Sequence, residues 1–201
     1  MIVIGLTGPS GSGKTLLCQA ASKLGCETIN ADEVYHSLLI PPSECLDEIV
    51  LNFGDVLSPD GSLDRKKLGA IVFSDEEKLS LLNTVTHKYV KQKFRDIISE
   101  MKGREVTAVI VDAPTLFESG FDKECDATVC LLASQAIRRA RIISRDSLDE
   151  SRADARLSAQ KSDDFFSSRA DHIIYNNGSE EELELKLTEL LIKIKKENQA
   201  K

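Results

Sequence analysis

No stretch of the 201-residue chain approaches the roughly 18 consecutive apolar residues that a membrane span needs. The opening Met1-Ile2-Val3 also lacks the basic segment with which a secretory leader begins. Neither an anchor nor a signal peptide is expected, and the expected location is cytoplasmic. Positive charge is scarce: 26 lysines and arginines face 33 aspartates and glutamates, a formal net charge of −7. That is a poor footprint for general nucleic-acid binding, so anionic ligands must be met by local basic clusters. Cysteine pairs at C-x-x-C spacing are missing. The five cysteines (Cys18, Cys26, Cys45, Cys125, Cys130) are an odd number and point to buried thiols in a reducing compartment, without disulfides or structural zinc. Internal repeats and low-complexity segments are absent. What remains is a globular composition, 41% apolar and 29% charged, with length for one domain carrying a small insert.

Against these absences one stretch stands out. Gly8-Pro9-Ser10-Gly11-Ser12-Gly13-Lys14-Thr15 follows the apolar run Ile2–Leu6 and precedes a helical pattern, matching the phosphate-binding loop G-x-x-x-x-G-K-[ST] in its strand–loop–helix setting. Glycines let successive backbone N–H groups turn into one concavity, and the following helix N-terminus adds the positive end of its dipole. Gly11, Ser12, Gly13, Lys14, Thr15 and Leu16 are therefore expected to line a nucleoside triphosphate. Lys14 would reach the β- and γ-phosphates, and the Thr15 hydroxyl is the expected Mg²⁺ ligand. A glycine-rich turn that merely joins strand to helix explains neither the Lys-Thr pair nor the setting.

Downstream, Leu16–Lys23 predicts a first helix stopped by Gly25, and Cys26–Ile29 a second strand. Asn30 then reads as an N-cap, which places Asp32 at the carboxyl end of a strand, where open α/β sheets hold ligands. From Tyr35 to Lys102 the turn signals Pro41-Pro42 and Ser58-Pro59-Asp60-Gly61 interrupt helical pattern with no convincing strand. Asp64–Phe73 predicts a short helix there, and Ser74–Glu77 a capping box opening a long one to about Met101, with Leu79, Leu82, Val85, Tyr89 and Phe94 facing a core. His87 lies on that helix, readable as a partly buried histidine or as a ligand. Val106–Val111 is a continuous apolar run ending in Asp112, which fits either the Mg²⁺-side acidic strand of P-loop enzymes or a strand-end cap. Ala127–Leu132 and His172–Tyr175 complete five strands. Between them Ser134–Arg145 predicts a basic helix with Arg138, Arg141 and Arg145 on one face, either solvated or facing phosphate. Ser147–Phe166 reads as a surface helix or a mobile lid, and Ser179 with Glu182 caps a last helix whose stripe is Leu183, Leu187, Leu190, Leu191 and Ile194.

Strands alternating with helices around such a loop give a three-layer α/β/α P-loop kinase fold with a central parallel five-stranded sheet, a helical substrate insert and a lid. The expected organisation is a single domain: core 1–34 and 105–201, insert about 35–104, lid about 146–168. The guanine-reading Asn-Lys-x-Asp of GTPases is absent, and the length leaves little room for the additions of a motor or transport ATPase. A small kinase remains, for a nucleoside, a nucleotide or another small alcohol; a nucleotide-binding regulator is the rival from another class.

The residues then narrow the choice. Ile4-Gly5-Leu6-Thr7-Gly8 with the loop, Asn30-Ala31-Asp32, Phe53-Gly54, Asp60–Arg65, His87, Asp112–Glu118, Arg141, Arg145-Asp146, Arg156, Gln160, Ala170-Asp171 and Asn176 together resemble the dephospho-CoA kinase family, nearly end to end. The resemblance implies transfer of the ATP γ-phosphate to the ribose 3′-hydroxyl of dephospho-CoA, the last step of coenzyme A synthesis, with ATP and Mg²⁺ required. It implies Asp32 as the carboxylate that accepts or orients the hydroxyl proton, Arg141 and Arg145 on the phosphates, and Asn176 near the adenine. Leu116, Phe117 and Glu118, with His87 on the insert, would border the acceptor. The implied partners are these small molecules alone, with no nucleic acid or membrane, on a monomer or small homo-oligomer. The chain departs from the family pattern at Pro9-Ser10, Leu16, Lys88 (usually proline), Thr115 (usually leucine) and Tyr175 (usually aspartate).

Overall fold

The computed structural model describes residues 1–200. Five strands, β1 (Ile2–Thr7), β2 (Glu27–Asn30), β3 (Ala108–Asp112), β4 (Ala127–Leu132) and β5 (His172–Tyr175), form one sheet in the order β2-β3-β1-β4-β5. β1 runs parallel to both β3 and β4, and β4 parallel to β5. With β1 in the middle and successive connections leaving it to opposite sides, the order reverses at its carboxyl end, where such sheets open a crevice for ligands.

The pleat divides the strands between two helical layers. Ile4, Leu6, Ala108, Ile110, Ala127, Val129, Leu131 and Ile174 share one buried cluster with Leu17, Ala20 and Ala21 of α1 (Lys14–Lys23) and with Leu183, Leu187 and Ile194 of α10 (Glu180–Gln199). Their alternation partners Cys130 and Leu132 pack on Phe166 of α9 (Asp163–Ser167), and Leu116 of α6 (Leu116–Ser119) packs against Gly5 of β1. Each fully buried large aliphatic side chain contributes roughly 1.5–3 kcal/mol, so the α10 stripe alone anchors that helix. Ser179 accepts from the Glu182 N–H at its start, as its sequence predicts.

By its contacts the chain divides into two compact units, Met1–Ile29 with Gly103 onward, and Asn30–Lys102. The second is all helical: α2 (Ala31–Ser37), α3 (Glu44–Phe53) and α4 (Arg65–Val72) each pack on the 25-residue α5 (Glu76–Glu100). Cys45, Ile49, Val56, Leu68, Val72 and Val85 form its core, with Leu79, Leu82 and Tyr89 against it. Asp75, not Ser74, caps α5, accepting from the N–H groups of Glu77 and Lys78; Ser74 instead bonds back to the Ala70 carbonyl and finishes the preceding turn. An isolated antiparallel bridge, Leu57 to Leu63, closes the Ser58–Gly61 turn. Lys88 gives its ammonium to Glu48 of α3 at 2.7 Å, and Tyr89 its hydroxyl to the same oxygen at 2.6 Å. Both hydrogen bonds hold the Glu48 carboxyl below its usual range.

Among the described residues no helix is long and apolar enough to cross a membrane. All five cysteines are free thiols.

Candidate active site

The loop between β1 and α1 is held from outside by polar side chains that end on its backbone. Asn176, directly after β5 and 2% exposed, donates its side-chain amide to the Ser12 carbonyl at 2.8 Å. Arg141 of α7 (Gln135–Asp146) donates to the carbonyls of Gly11 and Ser12 at 3.3 and 3.1 Å, and to that of Asn176 at 3.3 Å. Carbonyls drawn outward in this way turn the opposite edges of their peptides inward, as an anion cradle requires, while the Ser12 N–H donates to the Pro9 carbonyl at 3.3 Å.

Two glycines are forced by close approach. Gly8 has φ +140°, and a Cβ there would lie 2.2 Å from the Leu131 carbonyl oxygen; Gly13, at φ +99°, would meet the Asn176 amide nitrogen at 2.3 Å. Gly13 opens α1, whose first turn carries no acidic residue to compete for its N–H groups. Lys14 donates to the Gly8 carbonyl at 2.9 Å, folded back over the loop, and Thr15 is exposed beside it. Ser12 is fully buried, and its hydroxyl has no hydrogen-bond partner.

Asp112 ends β3 in register with Leu6 of β1, so it stands one strand from the loop. Its charge reaches α1. Burial first, then Asp112, pushes the Cys18 thiol up to about 12, while the Lys14 ammonium acts on the same thiol in the opposite direction.

The arginine face of α7 is divided among three tasks. Arg138 is buried and pairs with Asp163 of α9 at 3.1 Å; Arg141 holds the loop; Arg145 forks onto Asp146 at 2.8 and 2.9 Å and reaches the Ser10 hydroxyl at 3.4 Å. Asp146 also accepts from Arg156 of α8 (Glu150–Ser158) at 2.7 Å. Both arginines hold the Asp146 carboxyl below its usual range, the Arg145 hydrogen bonds most of all. Arg139 ties α7 to α8 through Glu150 and Asp154 at 3.0 and 2.6 Å.

Several expected site residues sit elsewhere than a ligand-lining reading implies. Leu116 is fully buried against β1, so it seats α6 and its side chain cannot border an acceptor. Leu16 packs its side chain on the sheet core, leaving only its backbone for a nucleotide. Asn176 donates its side-chain amide to Ser12 and so braces the loop. Phe117 is half-buried, edge-on to Phe165 with ring centroids 6.4 Å apart, and Glu118 is exposed. Asp32 and His87 belong to the helical unit. Asp32 is exposed in the first turn of α2, where Asn30 caps its N–H at 2.9 Å as the sequence predicts. Burial, then Lys91, lowers the His87 imidazole below its ordinary value, so it is neutral at pH 7 and offers an acceptor no positive charge.

Asp171, part of the resemblance, has a purely architectural contact. It accepts from the N–H and hydroxyl of Thr128 at 2.8 and 2.7 Å, fixing β5 beside β4. The pairing of Asp146 and Asp163 with arginines gives no periodic signal in the sequence, because an acidic residue adjacent to or 25 positions beyond its arginine leaves no helical spacing.

A parallel sheet ordered 2-3-1-4-5, a phosphate loop after its central strand and a basic helix closing on that loop define a P-loop kinase. A solved shikimate kinase from Bacteroides thetaiotaomicron shares the fold, with a TM-score of 0.55 at 17% identity over 94% of this chain and 98% of that one. The chain belongs to the dephospho-CoA kinase family, whose model matches residues 2–182. A dephospho-CoA kinase of Symbiobacterium thermophilum is 37% identical over 89% of this chain and 75% of its own length. The solved structure of the Campylobacter jejuni dephospho-CoA kinase superposes with a TM-score of 0.69 at 27% identity, covering 98% of both chains.

Proposed function

We propose that this protein is a dephospho-CoA kinase: it transfers the γ-phosphate of ATP to the ribose 3′-hydroxyl of dephospho-CoA, giving coenzyme A and ADP. The observation that carries the reading is the family match over residues 2–182, which spans the loop-bearing unit and the helical unit alike. The inward-facing loop amides bind the phosphate chain, and Lys14 leaves the Gly8 carbonyl for the β- and γ-oxygens. Arg141 and Arg145 supply positive charge where the transferring group carries its negative charge. Asp32 accepts or orients the 3′-hydroxyl proton as that oxygen bonds to the γ-phosphorus; the bond from phosphorus to the β–γ bridging oxygen breaks, and ADP departs with its electron pair. Phe117, Glu118 and neutral His87 are assigned to the acceptor side.

Mg²⁺ in such enzymes takes most of its ligands from phosphates and water, so it needs few protein oxygens. The exposed Thr15 hydroxyl, with Asp112 reached through water, fits that hard-oxygen demand, and no cluster of three or more metal-ligating side chains is present among the described residues. Bound there, the ion would neutralise phosphate charge. Free thiols at all five cysteines suit a reducing cytoplasm.

The test is a product assay. Purified protein with ATP and a panel of dephospho-CoA, nucleosides and nucleoside monophosphates is followed by mass spectrometry; coenzyme A is the expected product. Phosphorylation of a nucleoside or nucleotide with dephospho-CoA untouched would overturn the assignment.

A further inference from the structure

Gln160, two residues beyond α8, makes a contact that none of the roles above uses. Its side-chain oxygen accepts from the backbone N–H of Ser10 at 2.5 Å, across 150 residues of sequence. Its side-chain nitrogen donates to the Arg156 carbonyl at 3.0 Å, so the amide is oriented at both ends and a flip would break both bonds. The segment that carries it is fixed to α7 by Arg139 and by the Arg145–Asp146–Arg156 bridge.

Ser10 holds a particular place in the loop. Pro9 has no N–H, so that of Ser10 is the first amide available after Gly8. Lys14, read as serving the β- and γ-phosphates, lays its ammonium on the Gly8 carbonyl, two residues from Ser10, so the Ser10 end is read as facing the terminal phosphate. Arg145 reaches the same residue through its hydroxyl.

We propose that Gln160 is a terminal-phosphate gauge: its amide oxygen occupies the Ser10 N–H in the absence of triphosphate, is displaced by the γ-phosphate of ATP, and is left in place by ADP. This rests on the reading of the loop as a nucleoside-triphosphate site. A neutral amide oxygen yields to a phosphate oxygen because a hydrogen bond to a charged acceptor is roughly twice as strong. A diphosphate, one phosphate shorter at the Ser10 end, leaves the Gln160 bond intact. Gln160 is thus a specificity-determining residue that acts through competition for one loop amide, and it sets the ratio of ATP to ADP affinity.

Calorimetric titration of the full chain with ATP and with ADP, each with Mg²⁺, tests this on two variants that should move in opposite directions. Gln160→Ala removes the competitor and should tighten ATP about two- to tenfold, the net range of one hydrogen bond, with ADP unchanged. Gln160→Glu replaces it with a charged competitor that also repels phosphate, and should weaken ATP by at least as much while changing ADP far less. Equal shifts for the two nucleotides, or ATP weakened by Gln160→Ala, would show a merely structural contact and overturn the inference alone. Wild-type protein that binds neither nucleotide would overturn the triphosphate reading and the inference with it.

Discussion

Around the loop between β1 and α1, polar side chains end on backbone: Asn176 and Arg141 converge on the Ser12 carbonyl, Gln160 takes the Ser10 N–H, and Lys14 rests on the Gly8 carbonyl. Between the helices of the other unit, long polar side chains meet side chains, as Lys88 and Tyr89 do on Glu48, or Arg65 on His36. The first pattern fixes the path of a peptide, which an N–H cradle requires because its ligand is read by backbone geometry. The second joins helices that apolar contacts already hold. At the loop, Gly8 and Gly13 are tied to close backbone and amide neighbours, whereas a Cβ on Gly54 or Gly61 of the helical unit would meet nothing within 4 Å, as is also true of Gly103 and Gly120 away from the loop.

The comparison can be broken by substitution. Lys14→Ala should have the largest effect, lowering kcat by about 10²–10³-fold and weakening ATP binding as well, since a fixed charge on the transferring phosphate is lost. Steady-state kinetics with calorimetry checks this, and retained turnover would remove Lys14 from the mechanism. Next, Asn176→Ala should cost about 1–3 kcal/mol of stability, because a buried bond to Ser12 is lost. Hydrogen exchange should show the loop amides opening while those of α3 and α5 keep their protection; equal loosening of both units would contradict the division drawn here.

The smallest effect is in the helical unit. Burial keeps His87 below its ordinary value of 6.5. As pH falls through 6.5 the unfolded chain therefore takes up a proton that the folded chain resists, and stability declines until the folded value is passed. His87→Gln should flatten this decline below pH 6.5 without changing ATP affinity. Urea melts at a series of pH values measure it, and identical acid slopes would show that His87 does not contribute.

The two units also differ in how far their sequences can be read. The loop, the five strands and the Asn30 and Ser179 caps are legible because each is a local signal: a glycine spacing, an apolar run, a cap three residues before its partner. At Ser74-Asp75 two cap-forming residues stand side by side, and only the Ala70 carbonyl decides that Asp75 takes the role. The bracing of the loop was not legible, since Asn176 lies 164 residues from Ser12 and Gln160 150 from Ser10. Leu116 reads as a site residue from its motif, and only the packing of α6 against Gly5 shows it to be buried. Lys88, which departs from the usual proline, has its explanation in Glu48, 40 residues away. Nothing in the structure explains Tyr175, whose side chain is exposed.

In the proposed reaction the loop-bearing unit holds the nucleotide while Asp32, carried by the helical unit, serves the acceptor, and this division of roles is what remains to be measured. It is tested most directly by Asp32→Asn, with turnover of dephospho-CoA and calorimetric ATP affinity measured on the same preparation. The expected result is a fall in kcat of about 10²–10⁴-fold, the usual contribution of a positioned acid–base group, with ATP affinity within about twofold of wild type. Unchanged turnover, or a loss of ATP affinity as large as the loss in kcat, would contradict it.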